Sequence, residues 1–266
     1  MKQDHQSMES QMLNVNITDG IGVLTINNPP LNSLPGELLK SLEQSFEELA
    51  KNKSVKVVIL TGSGKAFAIG VDIDALVGCA SAEEASNISR VAQEALMKIE
   101  QCPKPVIAAI SGFCMGGGLE LALSCHMRFA SDRSIFGMPE LRFGLIPAFG
   151  GSYRLPATLG TGRALQMILS SEKINSQEAK SLGIVNDVFP ADTMMEKVRG
   201  IASKMTNFSS ASMRMAINAV LSARFAGMKE TMDTESSNIG KLYDMHDLKE
   251  GVYAYLEKRK PNFIDS

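Results

Sequence analysis

Apolar residues in the first half of the chain follow two alternating spacings. Short, nearly continuous apolar runs predict buried strands, and they lie at residues 13–17, 21–26, 57–61 and 106–110. Between these runs, apolar residues recur every three or four positions and predict amphipathic helices over residues 35–51 and 82–101. Asp19-Gly20 separates the first two runs and predicts a hairpin turn. Strands that alternate with helices indicate an α/β fold with a parallel sheet and helical crossovers.

After residue 190, the apolar residues follow helical spacing only. Before that point, three more apolar runs predict strands, at residues 126–130, 135–138 and 185–189. Beyond it, four helices are predicted, over residues 194–205, 210–224, 227–243 and 247–258. We therefore divide the chain into a disordered N-terminal segment at 1–11, an α/β core at 12–190 and a helical region at 191–266.

Composition and charge narrow the class of protein. The chain has 266 residues, of which 44% are apolar, enough for a large buried core. The net charge is −2 and no basic tract is present, which argues against nucleic acid or a membrane as a partner. The first eleven residues lack the apolar centre of a signal peptide, and no apolar stretch approaches membrane-spanning length. We therefore expect a cytoplasmic protein.

The cysteines give no indication of a metal site or of disulfide bonds. The four lie at positions 79, 102, 114 and 125, and these spacings match no zinc-binding pattern. A chain of this size does not need disulfide bonds to be stable. We expect no metal, and free thiols in a reducing compartment.

A run of three glycines, Gly116 to Gly118, stands between the apolar run at 106–110 and a short predicted helix at 119–124. Strand, glycine turn and helix present free backbone N–H groups at the positive end of a helix. Such groups stabilise a negative oxygen, so this turn is a candidate half of an oxyanion hole. A tight turn packed against a neighbouring strand explains the glycines equally well.

A second stretch rich in small residues, Gly62 to Ile73, follows the apolar run at 57–61. Two such turns on neighbouring parallel strands can place two N–H donors around one carbonyl oxygen. A thioester enolate needs that arrangement of donors.

In their order and spacing these stretches resemble the enoyl-CoA hydratase/isomerase (crotonase) superfamily, over about residues 12 to 264. The matching segments are residues 65–73, 116–122, 139–140, 144–147, 150–151, 154–155 and 257–261. The resemblance implies a crotonase-like spiral of repeated strand-strand-helix units, followed by a C-terminal helical region that forms trimers or dimers of trimers. It also implies an acyl-CoA substrate, with coenzyme A as part of the substrate and no separate cofactor.

The same resemblance assigns candidate site residues. Glu120 and Glu140 match the catalytic pair of the hydratases, and the amides of Val71 and Gly117 match the oxyanion hole. The positions that match the coenzyme A path are Ala66, Ala68, Asp72, Ile73, Tyr255 and Lys258. Without the resemblance, Glu120 could simply complement a helix dipole, and Glu140, in a loop after Pro139, could be solvated.

The expected activity is reversible addition of water to a trans-2-enoyl-CoA, with Glu120 activating the water and Glu140 supplying the α-proton. Adding water across the double bond requires a base for the water and an acid for the α-carbon. Two carboxyl groups with separated pKa values can provide both. The alternatives are an enoyl-CoA isomerase, which typically manages with one carboxylate, a decarboxylase, a specialised dehydratase, or an RNA-binding relative. A peptidase would need a Ser–His pair at the glycine turn, and none is present.

Overall fold

The computed structural model describes residues 9–10, 12–71, 77–224 and 226–265. The strands are β1 (Glu9–Ser10), β2 (Leu13–Thr18), β3 (Ile21–Ile26), β4 (Val57–Gly62), β5 (Ala66–Ala68), β6 (Val106–Ile110), β7 (Phe113–Met115), β8 (Met127–Ser131), β9 (Ile135–Gly137), β10 (Lys173–Asn175) and β11 (Asp187–Phe189). The helices are α1 (Gly36–Lys51), α2 (Ala82–Glu100), α3 (Gly117–Ser124), α4 (Gly151–Leu159), α5 (Thr161–Ser170), α6 (Ser176–Ser181), α7 (Met194–Met205), α8 (Ser210–Ser222), α9 (Met228–Tyr243) and α10 (His246–Leu256), with one 3₁₀ turn at Glu140–Phe143.

The larger sheet has seven strands in the order β1-β2-β3-β4-β6-β8-β11. β2 and β3 form the predicted antiparallel hairpin, whereas β3, β4, β6, β8 and β11 run parallel. Helices must therefore return the chain between them. The prediction of an α/β fold with a parallel sheet is confirmed. Glu9–Ser10, inside the segment expected to be disordered, pair with β2.

A second, smaller sheet has the order β10-β9-β7-β5. β5, β7 and β9 run parallel, and each follows directly on a strand of the larger sheet. The chain therefore repeats a unit of two strands and a helix: β4, β5 and α2, then β6, β7 and α3. This repeat is the expected spiral. The sequence pattern did not predict β5, β7 and β10, which have three residues each.

Alternating residues of the central strands belong to two cores. Val58 and Leu60 face the larger core, into which α1 and α2 pack their apolar sides. Val57 and Ile59 face the opposite side, where Val198 and other residues of α7 cover the sheet. Both faces of the parallel strands are thus buried, as their nearly continuous apolar sequences require.

The C-terminal helices are much less buried. α9 has no buried residue among those described, and α8 and α10 have one and two. α10 is fixed to the following segment by the buried Asp247 carboxylate, which accepts hydrogen bonds from the amides of Ile264 and Asp265 at 2.9 and 3.1 Å. No helix in the described residues is long and apolar enough to cross a membrane.

Candidate active site

The two glycine turns pack backbone against backbone. A Cβ atom on Gly117 would lie 2.9 Å from the Cα of Gly70, and one on Gly118 would overlap the carbonyl oxygen of Ala68. Gly116 adopts φ = +52°, in the region that favours glycine. The packing explanation of the three glycines therefore holds at Gly118. The close contact of Gly70 and Gly117 also brings the start of α3 next to Val71.

The amides of Val71 and Gly117 have no acceptor among the described residues. Gly117 is the first residue of α3, so its N–H lies at the positive helix end. Val71 and Gly117 line the same cavity, of about 270 Å³, and can therefore donate to one oxygen placed between them.

Glu120 lies in the first turn of α3, is 2% exposed and lines the same cavity. Its Oε1 accepts hydrogen bonds from the amides of Phe149 and Gly151, at 2.8 and 2.6 Å. A Cβ on residue 151 would lie 2.7 Å from that oxygen, so only glycine allows this approach. Two amides thus hold one carboxyl oxygen, and the other remains available to the cavity.

Glu140 also lines this cavity. It begins the 3₁₀ turn after Pro139 rather than lying in an irregular loop, and it is 8% exposed. Both of its carboxyl oxygens are buried, and neither has a hydrogen-bond partner among the described residues. A Cβ on Gly116 would lie 3.0 Å from its Oε1, so this carboxyl group is close to the glycine turn.

Burial raises the pKa of both carboxyl groups. For Glu120, burial and the nearby Glu140 outweigh the two amide hydrogen bonds and Arg154, which lower the pKa, and the result is a pKa of about 7. Burial also raises the pKa of Glu140. Glu120 accepts hydrogen bonds from two amides, whereas Glu140 has no hydrogen-bond partner among the described residues and only its own backbone amide lowers its pKa. The arrangement can therefore hold one carboxylate and one carboxylic acid on either side of the same space.

A second cavity, of about 300 Å³, adjoins the first. Val71, Gly117, Glu140 and Leu145 line both cavities. The first is closed on one side by α2, through residues that include Ile88. The second continues past Ile69. A ligand that places a carbonyl oxygen at the free amides can therefore extend in two directions.

The predicted substrate-binding residues fall into three groups. Ala66 and Ala68 are buried in β5, beside the glycine turns. Asp72 and Ile73 lie outside the described residues. Tyr255 and Lys258 are exposed at the end of α10 and line neither of the two cavities. Within one subunit, the structure does not bring these last two residues to the site.

The sequence interpretation missed what holds Glu120 in place. The donors are the amides of Phe149 and Gly151, and Arg154 lies behind them with an ion pair to Glu100. The glycine pair at 150–151 followed by an arginine was visible in the sequence, but only as part of the family pattern. Nearly every residue type carries a backbone N–H donor, so the sequence does not show which of them bind Glu120.

Among the described residues, neither a histidine nor a cysteine lines the two cavities. His126 joins two elements: its Nδ1 accepts from the amide of Val106, and its Nε2 contacts the carbonyl oxygen of Glu100. Cys102, Cys114 and Cys125 form no disulfide bond among the described residues. The described residues contain no group of three His, Cys, Asp or Glu side chains placed to hold a metal ion.

Comparison with known proteins finds relatives along nearly the whole chain. The sequence model of the family described as enoyl-CoA hydratase/isomerase matches residues 16–266. A probable enoyl-CoA hydratase of Bacillus subtilis (strain 168) is 36% identical over 244 residues, covering 91% of this chain and 95% of the relative. A crotonyl-CoA hydratase of Syntrophomonas wolfei is 36% identical over 246 residues, covering 92% and 94%.

A solved structure shares the fold. An enoyl-CoA hydratase from Bacillus anthracis superposes with a TM-score of 0.92 at 32% sequence identity. The match covers 96% of this chain and 100% of that one. The likeness therefore includes the C-terminal helices as well as the two sheets.

Proposed function

We propose that this chain, which belongs to the enoyl-CoA hydratase/isomerase family, is an enzyme that adds water reversibly to a trans-2-enoyl-CoA and gives a 3-hydroxyacyl-CoA. One observation carries the proposal: two buried carboxyl groups in different environments line the cavity that two free amides also line. Hydration needs a base, an acid and a site for negative charge on the thioester oxygen. This cavity can supply all three.

The carboxyl groups take different roles because they are held differently. Glu120, with Oε1 fixed by two amides, acts as the base that accepts a proton from water while the hydroxyl adds to C3. Glu140, which has no hydrogen-bond partner among the described residues, acts as the acid that gives a proton to C2. The reaction leaves Glu120 protonated and Glu140 ionised, and proton exchange resets the pair.

The amides of Val71 and Gly117 stabilise the charge that develops between these two proton transfers. When hydroxyl adds to C3, electron density moves through C2 to the thioester oxygen. Fixed N–H donors aimed at that oxygen lower the barrier, and loss of one such donor costs about 10²–10³ in rate. The positive end of α3 adds to this effect.

Coenzyme A is part of the substrate in this proposal, and no separate cofactor takes part. The backbone around Ala66 and Ala68 lies beside the oxyanion donors and is suited to the pantetheine side of the thioester. Tyr255 and Lys258 can serve the site only from a neighbouring subunit.

A homo-oligomer, a trimer or a dimer of trimers, is part of the same proposal. α9 carries an exposed apolar stripe at helical spacing, formed by Met228, Met232, Ile239 and Tyr243. Side chains of this kind need cover from another surface. A second copy of the chain supplies that cover and also brings the end of α10 near a site.

Turnover of crotonyl-CoA by the purified protein tests the proposed function. We expect 3-hydroxybutyryl-CoA as the product, with the oxygen of labelled water at C3. Mass spectrometry of the thioester identifies both. An unchanged substrate across a panel of 2-enoyl-CoAs of different length and branching would refute the hydratase assignment.

Isomerisation is the competing reaction that the same assay separates. A 3-enoyl-CoA offered as substrate would give a 2-enoyl-CoA without uptake of solvent oxygen. Isomerases typically manage with one carboxylate, so the second buried carboxyl group favours hydration. Isomer formation without any hydration would reverse this preference.

A further inference from the structure

A buried arginine contacts the segment of residues 149–151, which holds Glu120 through two of its amides. We call this segment the Glu120 loop. Arg154 is in the first turns of α4 and is 6% exposed. Its Nη1 donates to the carbonyl oxygen of Phe149 at 3.1 Å. Its Nε and Nη2 donate to Oε2 of Glu100 at 3.0 and 2.7 Å. The guanidinium group therefore ties this loop to the end of α2.

The bond to Phe149 matters because that residue is held at both of its backbone polar groups. Its amide donates to Oε1 of Glu120, and its carbonyl accepts from Arg154. Two residues further on, the Gly151 amide donates to the same carboxyl oxygen. If the Phe149 carbonyl is released, the Glu120 loop loses the contact next to both amides and keeps those of the Ala148 carbonyl with Ser89 and Gln93.

Gly150 shows that the sequence accommodates this arrangement. Residue 150 has φ = +106°, and a Cβ there would overlap Nη1 of Arg154. The two neighbouring glycines thus serve different contacts. Gly151 leaves room for Glu120, and Gly150 leaves room for Arg154.

The contacts continue into the C-terminal helical region. Oε1 of Glu100 accepts from Nη1 of Arg224 at 2.7 Å, and the Arg224 guanidinium lies 5.0 Å from the ring centre of Tyr153. Arg224 follows α8. Glu100 therefore holds one arginine from the core and one from the helical region.

We propose that Arg154 is a positioning residue that keeps Glu120 in the geometry and charge state that hydration requires, and that Glu100 and Arg224 support it from the C-terminal side. The inference rests on the proposed function, in which Glu120 is the base. Arg154 does not touch the reacting atoms; it acts through Phe149 and through its charge. A misplaced catalytic group can cost on the order of 10² in rate.

The charge also acts on the ionisation of Glu120. Among the described residues, the charged groups that act on this carboxyl group are Glu140, which raises its pKa, and Arg154, which lowers it. Removing the Arg154 cation removes one of the effects that lower the pKa of Glu120, while burial and Glu140 still raise it. The pKa of Glu120 then rises above about 7, and a smaller fraction is ionised at neutral pH.

A double-mutant cycle on crotonyl-CoA hydration tests the proposal. Arg154→Met should lower kcat on the order of 10²-fold with a small change in KM. In a Glu120→Gln background it should cause little further loss, because residues that act as one unit are not additive. Independent, multiplicative losses would show that Arg154 acts on something other than Glu120, and would overturn the proposal.

The pH profile separates positioning from simple structural support. In Arg154→Met, the acid limb of kcat/KM should move to higher pH, because Glu120 must lose its proton to act as a base. In Arg154→Lys, the charge is kept and the limb should stay near its wild-type position. Its kcat should still fall, since one ammonium group cannot reproduce the forked contacts of a guanidinium. An unmoved limb in folded Arg154→Met overturns the proposal.

Arg154→Lys and Arg224→Met keep the test valid if Arg154→Met does not fold. Arg224→Met should lower kcat less than the Arg154 variants and move the acid limb in the same direction. Arg214→Met is the matched control: Arg214 is on α8 and lines the same 720 Å³ cleft as Arg224, but contacts neither Glu100 nor Glu120. Full activity in both Arg154→Lys and Arg224→Met would refute the positioning role.

Failure of this inference can be told apart from failure of the proposed function. A wild-type protein that hydrates no enoyl-CoA, or a fully active Glu120→Gln variant, would refute the proposed function. Inactive Glu120→Gln together with normal Arg154 variants would refute the positioning role alone.

Discussion

Glu120 and Glu140 differ in what surrounds their oxygens, and this difference decides their expected chemistry. Glu120 accepts two backbone hydrogen bonds, whereas Glu140 has both oxygens buried without a partner in the described structure. An unpaired buried carboxyl group favours its neutral form. The residue type is the same, but the hydrogen-bond environments differ, and we assign the base and the acid on that difference, while burial raises the pKa of both groups.

Replacing either carboxyl group by an amide should remove most of the activity. Glu120→Gln and Glu140→Gln are each expected to lower kcat for crotonyl-CoA by about 10²–10⁴-fold, the usual cost of losing a general acid or base. Circular dichroism should show both variants folded. Glu94→Gln, at an exposed position of α2, is the control and should be fully active. Wild-type turnover by either site variant would contradict the assignment.

Glu120 should also make stability depend on pH. Its pKa is about 7 in the folded protein and 4.5 in an ordinary carboxyl group. Between these values the folded state binds the proton and the unfolded chain does not, so the free energy of unfolding falls as pH rises from 4.5 to 7. The loss amounts to at most about 3 kcal/mol.

Urea unfolding at several pH values measures this effect. Glu120→Gln lacks the titrating group, so its stability relative to the wild type should increase as pH rises through the same interval. Parallel curves for the two proteins would show that Glu120 has the same pKa folded and unfolded.

At this scale, the sequence indicated the two glutamates that line one cavity, whose catalytic role stays a prediction, but it did not indicate the groups around them. The two glutamates were found because the family pattern marks them. The amide donors at 149 and 151 belong to residues 29 and 31 positions from Glu120. No spacing rule relates positions so far apart, and backbone groups are present at every residue.

The glycine turn before α3 is the element in which space is most restricted. A Cβ on Gly117 would lie 2.8 Å from the Phe149 ring and 2.9 Å from the Gly70 Cα. Gly117→Ala should therefore displace the oxyanion donor and lower kcat by about 10²–10³-fold. Gly162→Ala is the control, because nothing lies within 4 Å of a Cβ there. It should be active and slightly more stable. Comparable activity in both variants would contradict a strict geometric role for the turn.

The wall formed by α2 should influence which acyl chains are accepted. Ile88 lines the cavity that contains both carboxyl groups, and the acyl chain beyond C3 must leave from between them. Ile88→Ala should raise kcat/KM for longer enoyl-CoAs relative to crotonyl-CoA by about 10-fold or more, since a methylene in a pocket is worth about 1–3 kcal/mol. Val91, on the same helix, packs against the core and does not line this cavity. Val91→Ala is therefore the control and should leave the ratio of kcat/KM values for longer and shorter substrates unchanged.

Helices and strands were predicted correctly where their apolar residues repeat at a recognisable spacing. The long helices and, apart from β1, the strands of the larger sheet lie within a few residues of their predicted bounds. Of the smaller sheet only β9 was predicted; β5, β7 and β10 were missed because three residues are too few to show alternation. Those strands are fixed by pairing with one another rather than by their own sequence.

Over the whole molecule, the C-terminal helices have too little to pack against in one subunit. Ile239 lies on the apolar stripe of α9 and is 62% exposed. Ile239→Glu should convert the proposed oligomer to smaller species, because a charge on a buried contact is costly. Ser237→Glu adds the same charge on α9 away from the stripe and should keep the full mass. Light scattering after size-exclusion chromatography measures the mass of both variants. An Ile239→Glu variant with the same mass as Ser237→Glu would place the interface elsewhere.

The contact of Gly70 with Gly117 has a consequence for how such a site can change over time. Recognition of the thioester oxygen would rest on main-chain atoms whose positions no side-chain replacement can adjust without a clash. The choice of reaction would rest on two buried side chains that line the same cavity. Evolution could therefore exchange the carboxyl groups one at a time and keep an enolate-stabilising scaffold intact. A variant that has lost Glu120 should still bind acyl-CoA and exchange α-protons with solvent.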